Sequence, residues 1–196
     1  MKVLQPCMRF LVRLGFDAPG LLAINLILIS LAGSLTVVAQ KSAEPVATKS
    51  VAAAKETFDR LKKLEGKWTG RSTKGWTEAI TFKTIAQGSV VHESSFDAHP
   101  NETMATMYYL DGERLLLTHY CVSKTQPRLQ ATAFENDGRK VTFTFLDGGN
   151  LSSRDKGHMD KVVLNFVDDD HFTSQWTWYQ QGKEQWLEEI KYERTK

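Results

Sequence analysis

The chain has 196 residues and a formal net charge of +2, with 25 Lys and Arg against 23 Asp and Glu. Residues 1–39 contain three of the basic residues and one of the acidic residues, so the rest of the chain carries equal numbers of both. This balance argues against a nucleic-acid-binding domain, which would need a basic patch or stripe. Only one of the two cysteines, Cys121, lies beyond residue 39. An internal disulfide is therefore excluded there, and a core of about 140 residues must hold the fold unaided.

The N-terminal segment has the organisation of a secretory signal peptide. A basic start with Lys2, Arg9 and Arg13 precedes the apolar run LLAINLILISLAGSLTVVA at residues 21–39, which ends in small residues before Gln40. This order of features predicts export to a periplasmic or extracellular destination. The alternative is an uncleaved membrane anchor, because an apolar run of about 18 residues can span a bilayer.

A tether and a helix are predicted next. Residues 40–50, QKSAEPVATKS, are small and polar without periodicity, which is typical of a flexible tether. From residue 51 onward, apolar residues recur at spacings of three and four, as on one face of a helix. We therefore predict an amphipathic helix over residues 51–65, with Ser50 as its N-cap and Gly66 just beyond its end.

Strand signals dominate from Trp68 to the C-terminus. Short segments of alternating, β-branched and aromatic residues recur about ten times, and no helix of crossover length separates them. Three connections have dipeptides typical of tight hairpin turns: Asp111-Gly112, Asp137-Gly138 and Gln181-Gly182. A meander of hairpins predicts an all-β fold, an antiparallel up-and-down β-barrel of about ten strands with the helix capping one end.

The stretch LKKLEGKWTG at residues 61–70 resembles the start of lipocalin-like (calycin) barrels. In that family a short helix precedes a Gly-x-Trp, here Gly66 and Trp68, at the head of the first strand. The glycine permits a sharp entry into the strand, and the tryptophan plugs the closed end against the helix. The ten-strand pattern is also similar to nitrobindin-like and related uncharacterised bacterial barrel families. The resemblance implies that residues 51–196 form one barrel domain with a cavity for a small apolar or amphipathic molecule.

The resemblance does not imply heme. Heme-binding members of the nitrobindin family ligate iron through a histidine close to the C-terminus, whereas this chain has no histidine after His171. We therefore expect no heme, and the sequence indicates no other cofactor.

Strand register decides which side chains line the barrel. A two-residue turn at the first Asp-Gly dipeptide pairs Tyr108 with Leu115 and Thr106 with Leu117, and it places His119 on the same face. That face is mostly apolar with a few polar groups, as ligand cavities usually are. The sequence therefore predicts Tyr108, Thr106 and His119 as ligand-binding residues.

Two tryptophans complete the predicted lining. A three-residue turn at residues 168–170 places Phe166 opposite Phe172, whereas a two-residue turn would scatter the apolar side chains over both faces. With the three-residue turn, Trp176 and Trp178 point inward and join the predicted ligand-binding set.

Three polar side chains have competing interpretations. His119 is either a core histidine satisfied by a neighbour or a hydrogen-bonding group for a ligand. Arg128 either forms a structural ion pair with Asp147 or holds a ligand carboxylate at the barrel mouth. His158, in the irregular segment 147–160, either closes on a ligand or faces solvent.

The sequence lacks nucleophile elbows, phosphate-binding glycine loops and zinc-ligand spacings. We therefore expect no metal and favour a non-catalytic, exported barrel that binds a small hydrophobic or amphipathic molecule. Expected partners include no nucleic acid, and a membrane only through an uncleaved N-terminus. The alternatives are a solid-packed interaction module and a barrel enzyme with His119 as its base.

Overall fold

The computed structural model describes residues 45–96 and 103–196, in which one α-helix precedes ten β-strands. The elements in chain order are α1 (Pro45–Lys63), β1 (Gly66–Ser72), β2 (Thr77–Ile85), a 3-10 turn (Ala86–Gly88), β3 (Val90–Phe96), β4 (Thr103–Asp111), β5 (Arg114–Tyr120), β6 (Gln126–Glu135), β7 (Lys140–Gly149), β8 (His158–Phe166), β9 (His171–Gln180) and β10 (Lys183–Arg194).

The ten strands form a closed antiparallel barrel in which every strand pairs with its neighbours in the chain. Pairing of β1 with β10, from Trp68 opposite Arg194 to Ser72 opposite Ile190, closes the sheet. Closure removes the free sheet edges that an open meander would expose. The predicted all-β up-and-down barrel with a preceding helix is thereby confirmed.

Helix α1 begins earlier than the sequence pattern predicted. It runs from Pro45 to Lys63, so the last six residues of the predicted tether are helical and Ser50 lies inside the helix instead of at its N-cap. Proline fits the first turn of a helix, where its missing N–H leaves no intrahelical bond unmade. Residues 40–44 and the predicted signal segment 1–39 lie outside the described residues.

The Gly-x-Trp stretch joins α1 to the barrel. Gly66 has φ = +128°, a conformation that side-chain-bearing residues rarely adopt, and it turns the chain into β1. Trp68 is completely buried, and its indole N–H donates to the carbonyl of Leu64 at 2.7 Å. Its ring meets Phe172 edge to face, with 4.9 Å between the centroids. The tryptophan therefore fills the end of the barrel that α1 covers.

The β4–β5 hairpin differs in register from the prediction. Tyr108 pairs with Leu117 and Thr106 with His119, because Gly112, at φ = +60°, is the first of the two turn residues instead of the second. The pairing is displaced by two residues relative to the prediction. Because side chains on a strand point to the same face at every second residue, Tyr108, Thr106 and His119 still share one face. The β8–β9 pairing of Phe166 with Phe172 agrees with the prediction.

Candidate functional site

A cavity of about 620 Å³ opens at the end of the barrel opposite α1. Its walls come from the ends of strands that point away from the helix, including the start of β4 and the end of β9. Its lining residues are Lys74, Trp76, Glu78, Glu93, Ser95, Met104, His119, Cys121, Val122, Ser123, Met159, Trp176, Trp178, Trp186, Glu188, Ile190 and Tyr192. The barrel is thus packed near the helix and hollow at its other end.

Indole rings form much of the wall. Trp178 on β9 and Trp186 on β10 lie opposite each other in the ladder, and their rings are nearly parallel, 2° apart, with centroids 5.9 Å from each other. The Lys74 ammonium lies over the Trp186 ring, 3.8 Å from its centroid. Trp176 lies deeper, and Trp76 packs against the core. These rings offer flat apolar surfaces to a bound molecule.

Three glutamates also face this cavity: Glu78, Glu93 and Glu188, each less than a tenth exposed. Hydroxyl groups donate to all three. Tyr108 donates to Glu93 Oε2 at 2.6 Å, while Tyr192 donates to Glu78 and Ser72 to Glu188. The site is therefore more acidic than the sequence interpretation allowed.

Burial is the largest cause of the pKa shifts of Glu93 and of the two tyrosines beside the cavity. It raises the pKa of Glu93 from 4.5 to about 7, although the hydrogen bond from Tyr108 lowers it in part. Burial, together with the charge of the neighbouring carboxylates, raises the pKa values of Tyr108 and Tyr192 well above 10.0. Both phenols therefore stay protonated donors at neutral pH, while Glu93 titrates close to it.

His119 has one satisfied and one unsatisfied ring nitrogen. Nδ1 lies 3.0 Å from Thr106 Oγ1, whereas Nε2 is buried with no hydrogen-bond partner among the described residues. The ring lies 4.8 Å from the Trp176 ring, centroid to centroid. Burial lowers the pKa of His119 to about 4, so the imidazole is neutral at pH 7. A neutral ring aimed into a cavity is suited to a single hydrogen bond with a ligand.

The structure places four predicted site residues in or directly behind the cavity wall. Trp176, Trp178 and His119 line the cavity. Thr106 lies one step behind it, because its hydroxyl contacts His119. Tyr108 is completely buried deeper in the barrel and reaches the cavity through Glu93.

Arg128 and His158 lie away from the cavity. Arg128 is on the outer face, opposite Asp147 in the ladder, and its Nε donates to the Asp147 carboxylate at 2.6 Å. The ion-pair interpretation therefore describes it. His158 belongs to β8, not to a loop, and is completely buried, with its ring between Phe145 and Tyr179. The interpretation that it faces solvent is therefore wrong, and it is not among the residues that line this cavity.

Sequence reasoning missed the glutamates and Tyr192. Alternation in β3 shows that His92 and Glu93 face opposite sides, but it cannot say which one faces inward. In the barrel Glu93 faces inward and Glu188 joins it from β10. The sequence did contain one signal for these residues: a glutamate on the otherwise apolar face of an alternating strand indicates a carboxylate that points into the barrel.

No group of three His, Cys, Asp or Glu side chains in residues 45–96 and 103–196 is arranged to hold a metal ion. No helix in those ranges is long and apolar enough to cross a membrane. Among the described residues that line the cavity, His119 has a buried imidazole nitrogen, Nε2, with a lone pair that no protein group uses.

No protein-family model and no curated protein sequence matches this chain. Among solved structures, the chain is similar to a protein of unknown function from the DUF3598 family of Nostoc punctiforme. The similarity has a TM-score of 0.45 and 11% sequence identity, and it covers 69% of this chain and 49% of that one. The matched region thus spans about half the length of that protein. Function has to be argued from the cavity.

Proposed function

We propose that this barrel binds a small amphipathic molecule in its open end and performs no chemistry on it. The observation that carries the proposal is the cavity of about 620 Å³, walled by tryptophans and a few inward-facing polar groups. Ligand sites typically occupy about 300–1,000 Å³ and combine apolar walls with a small number of placed polar groups. The lipocalin-like relationship inferred from the Gly-x-Trp stretch belongs to the same proposal.

The packing of the two ends supports a binding role over a solid interaction module. Near α1, the side chains of Leu61, Trp68 and Phe82 are almost inaccessible to solvent and leave little room. Toward the other end, small side chains such as Ser95 face the space between the tryptophans. A barrel serving only as a rigid module has no need for polar groups in such a space, because buried polar groups reduce stability.

The His119 environment argues against the alternative of a barrel enzyme with His119 as its base. A general base works best with a pKa near the working pH, and the pKa of about 4 makes this imidazole a weak base at neutrality. The N-terminal segment suggests that binding takes place after export, in the periplasm or outside the cell.

Native mass spectrometry of the gently purified full-length chain tests the proposal. We expect a bound mass that is lost in organic solvent. The variant Ser95→Trp, which fills the cavity, should lose that mass. Ser94→Trp, on the neighbouring position facing away from the cavity, should keep it. An unliganded mass that stays unliganded with added hydrophobic probes would favour the solid module, and a heme mass would overturn the expectation that the barrel binds no heme.

A further inference from the structure

We propose that the ligand is cationic: a protonated amine carried on an apolar or aromatic body. This inference rests on the proposed binding function and specifies its ligand class. It follows from the charge, the hydrogen-bonding capacity and the aromatic surface of the cavity.

Two of the inward-facing glutamates, Glu93 and Glu188, have no cationic partner among the described residues. Their partners are the hydroxyl groups of Tyr108 and Ser72, which donate hydrogen bonds but leave the carboxylate charge in place. A buried carboxylate without a cation is expensive, so a cationic ligand would stabilise the site by binding there.

His119 adds an acceptor of the right kind. The ring is neutral, and when its Nδ1–H donates to the Thr106 hydroxyl, Nε2 is left as an acceptor on a ring that lines the cavity. That nitrogen is buried and has no hydrogen-bond partner among the described residues, so it has the capacity to accept one hydrogen bond. An ammonium group carries several N–H donors and can serve this nitrogen and a carboxylate together.

The aromatic walls suit a cation as well as an apolar body. A positive charge is attracted to the face of an indole ring, most strongly where water is excluded. The Lys74 ammonium already occupies such a position over Trp186 at the cavity rim. Trp176 and Trp178 offer further indole rings inside the cavity.

An anionic ligand is poorly matched to the same walls. Its charge would face Glu78, Glu93 and Glu188, and like charges at close range repel strongly. Arg128, the residue that could have held a carboxylate, is turned outward and bound to Asp147. Among the lining residues that the structure describes, Lys74 is the only lysine or arginine, and it lies at the rim.

Calorimetric titration of the full-length protein with three probes of matched shape tests the charge. The probes are naphthylethylamine, naphthylethanol and the anion of naphthaleneacetic acid. The titrations are made at about pH 8, where the amine is protonated and Glu93 is ionised. We expect the amine to bind at least ~10-fold more tightly than the alcohol, because charged hydrogen bonds are the stronger ones, and the anion to bind most weakly.

Two glutamine variants locate the effect. Glu188→Gln keeps an oxygen to accept the Ser72 hydroxyl but removes the charge, and it should weaken amine binding ~10-fold with little change for the alcohol. Glu189→Gln, the next residue on β10 and outside the cavity, should change amine binding less than ~2-fold. Glu93→Gln should also weaken amine binding with little change for the alcohol. Because the two variants are independent, the test still works if one of them fails to fold.

The outcomes separate this inference from the function on which it rests. Alcohol binding as tight as amine binding, lost in Ser95→Trp, would overturn the cationic ligand and leave the binding cavity intact. Amine affinity unchanged in both Glu188→Gln and Glu93→Gln would overturn the inference as well. Failure of all three probes to bind, with an unliganded native mass, would count against both proposals.

Discussion

Glu93 places an ionisable group where burial leaves its charge poorly solvated. The ordinary carboxyl pKa of 4.5 describes the unfolded chain, and the folded value is about 7. The folded protein therefore holds a proton that the unfolded chain has lost between these two pH values. Stability contributed by the protonated form is present below pH 4.5 and disappears as the pH rises through 7. At neutral pH the residue reduces stability, which fits a group retained for binding.

Glu93→Gln should stabilise the protein at alkaline pH. The amide keeps an oxygen for the Tyr108 hydroxyl and removes the buried charge. We expect the free energy of unfolding to rise by about 1–3 kcal/mol at about pH 8, and the gain to shrink toward zero below about pH 5. Urea denaturation at both pH values measures this, with the outward Glu189→Gln as the control. A variant less stable than the wild type at pH 8 would contradict the burial argument.

His119 has the opposite linkage. Its folded pKa of about 4 lies below the ordinary 6.5, so the stability contributed by the neutral ring is present above pH 6.5 and is lost as the pH falls toward 4. Between pH 6.5 and pH 4 the wild type should therefore lose up to about 3 kcal/mol in its free energy of unfolding through His119, and His119→Gln should not show this loss. Thermal denaturation at a series of pH values measures the slope, with Thr118→Gln, the adjacent residue, as control. Unchanged acid sensitivity in His119→Gln would assign the effect to other groups.

The sequence predicted part of the cavity wall and missed its charge. His119, Trp176 and Trp178 were identified because their strands alternate cleanly and their hairpins are short. The face of His119 is also unchanged by the displacement of the β4–β5 register, because the displacement is two residues. The carboxylates were missed because they belong to β2, β3 and β10, and β10 meets the early strands only through barrel closure. Local alternation carries no information about such long-range neighbours.

At the scale of elements, the junction of α1, β1 and β10 holds the closed end together. The Arg194 guanidinium stacks on the Trp68 ring at 4.2 Å from its centroid. It also donates to the carbonyls of Lys63 and Glu65, at 3.0 and 2.9 Å, where the helix ends and its last carbonyls lack intrahelical partners. One side chain of the last strand thus links the helix terminus to the first strand.

Arg194→Lys should destabilise the fold although it keeps the charge. A lysine ammonium cannot make the same planar, forked set of contacts or stack flat on an indole. We expect a loss of about 1–3 kcal/mol in the free energy of unfolding, measured by urea denaturation. Arg71→Lys, at an exposed position of β1, should stay within about 0.5 kcal/mol of the wild type. Equal effects of the two substitutions would show that Arg194 has no special role.

Element boundaries show where local patterns stop being informative. Strand existence followed from alternation and turn residues, so all ten strands were anticipated. The sequence pattern predicts a helix that begins after the N-cap Ser50, because small polar residues and a proline precede Ser50. In the structure α1 begins at that proline, Pro45. A proline can open a helix as readily as it can interrupt one, and local composition does not separate the two cases.

At the scale of the whole molecule, the barrel combines a packed end with a cavity whose charge depends on pH. Between pH 6 and 8 the phenols of Tyr108 and Tyr192 remain protonated, because their pKa values are raised well above 10.0, and His119 remains neutral. Burial raises the pKa of Glu93 to about 7, so this residue changes charge within the same range.

Stabilisation by a cationic ligand should follow that charge change. If the amine binds only to protein with ionised Glu93, its affinity depends on the fraction of molecules in that state. With a pKa of about 7, this fraction is ~10-fold smaller at pH 6 than at pH 8. The apparent affinity for the amine should fall by the same factor. The rise in melting temperature with naphthylethylamine should accordingly be larger at about pH 8 than at about pH 6. Thermal denaturation with and without the probe measures both rises, and Glu93→Gln should give a smaller rise that is the same at both pH values. An equal rise at both pH values in the wild type would mean that the amine is held without Glu93.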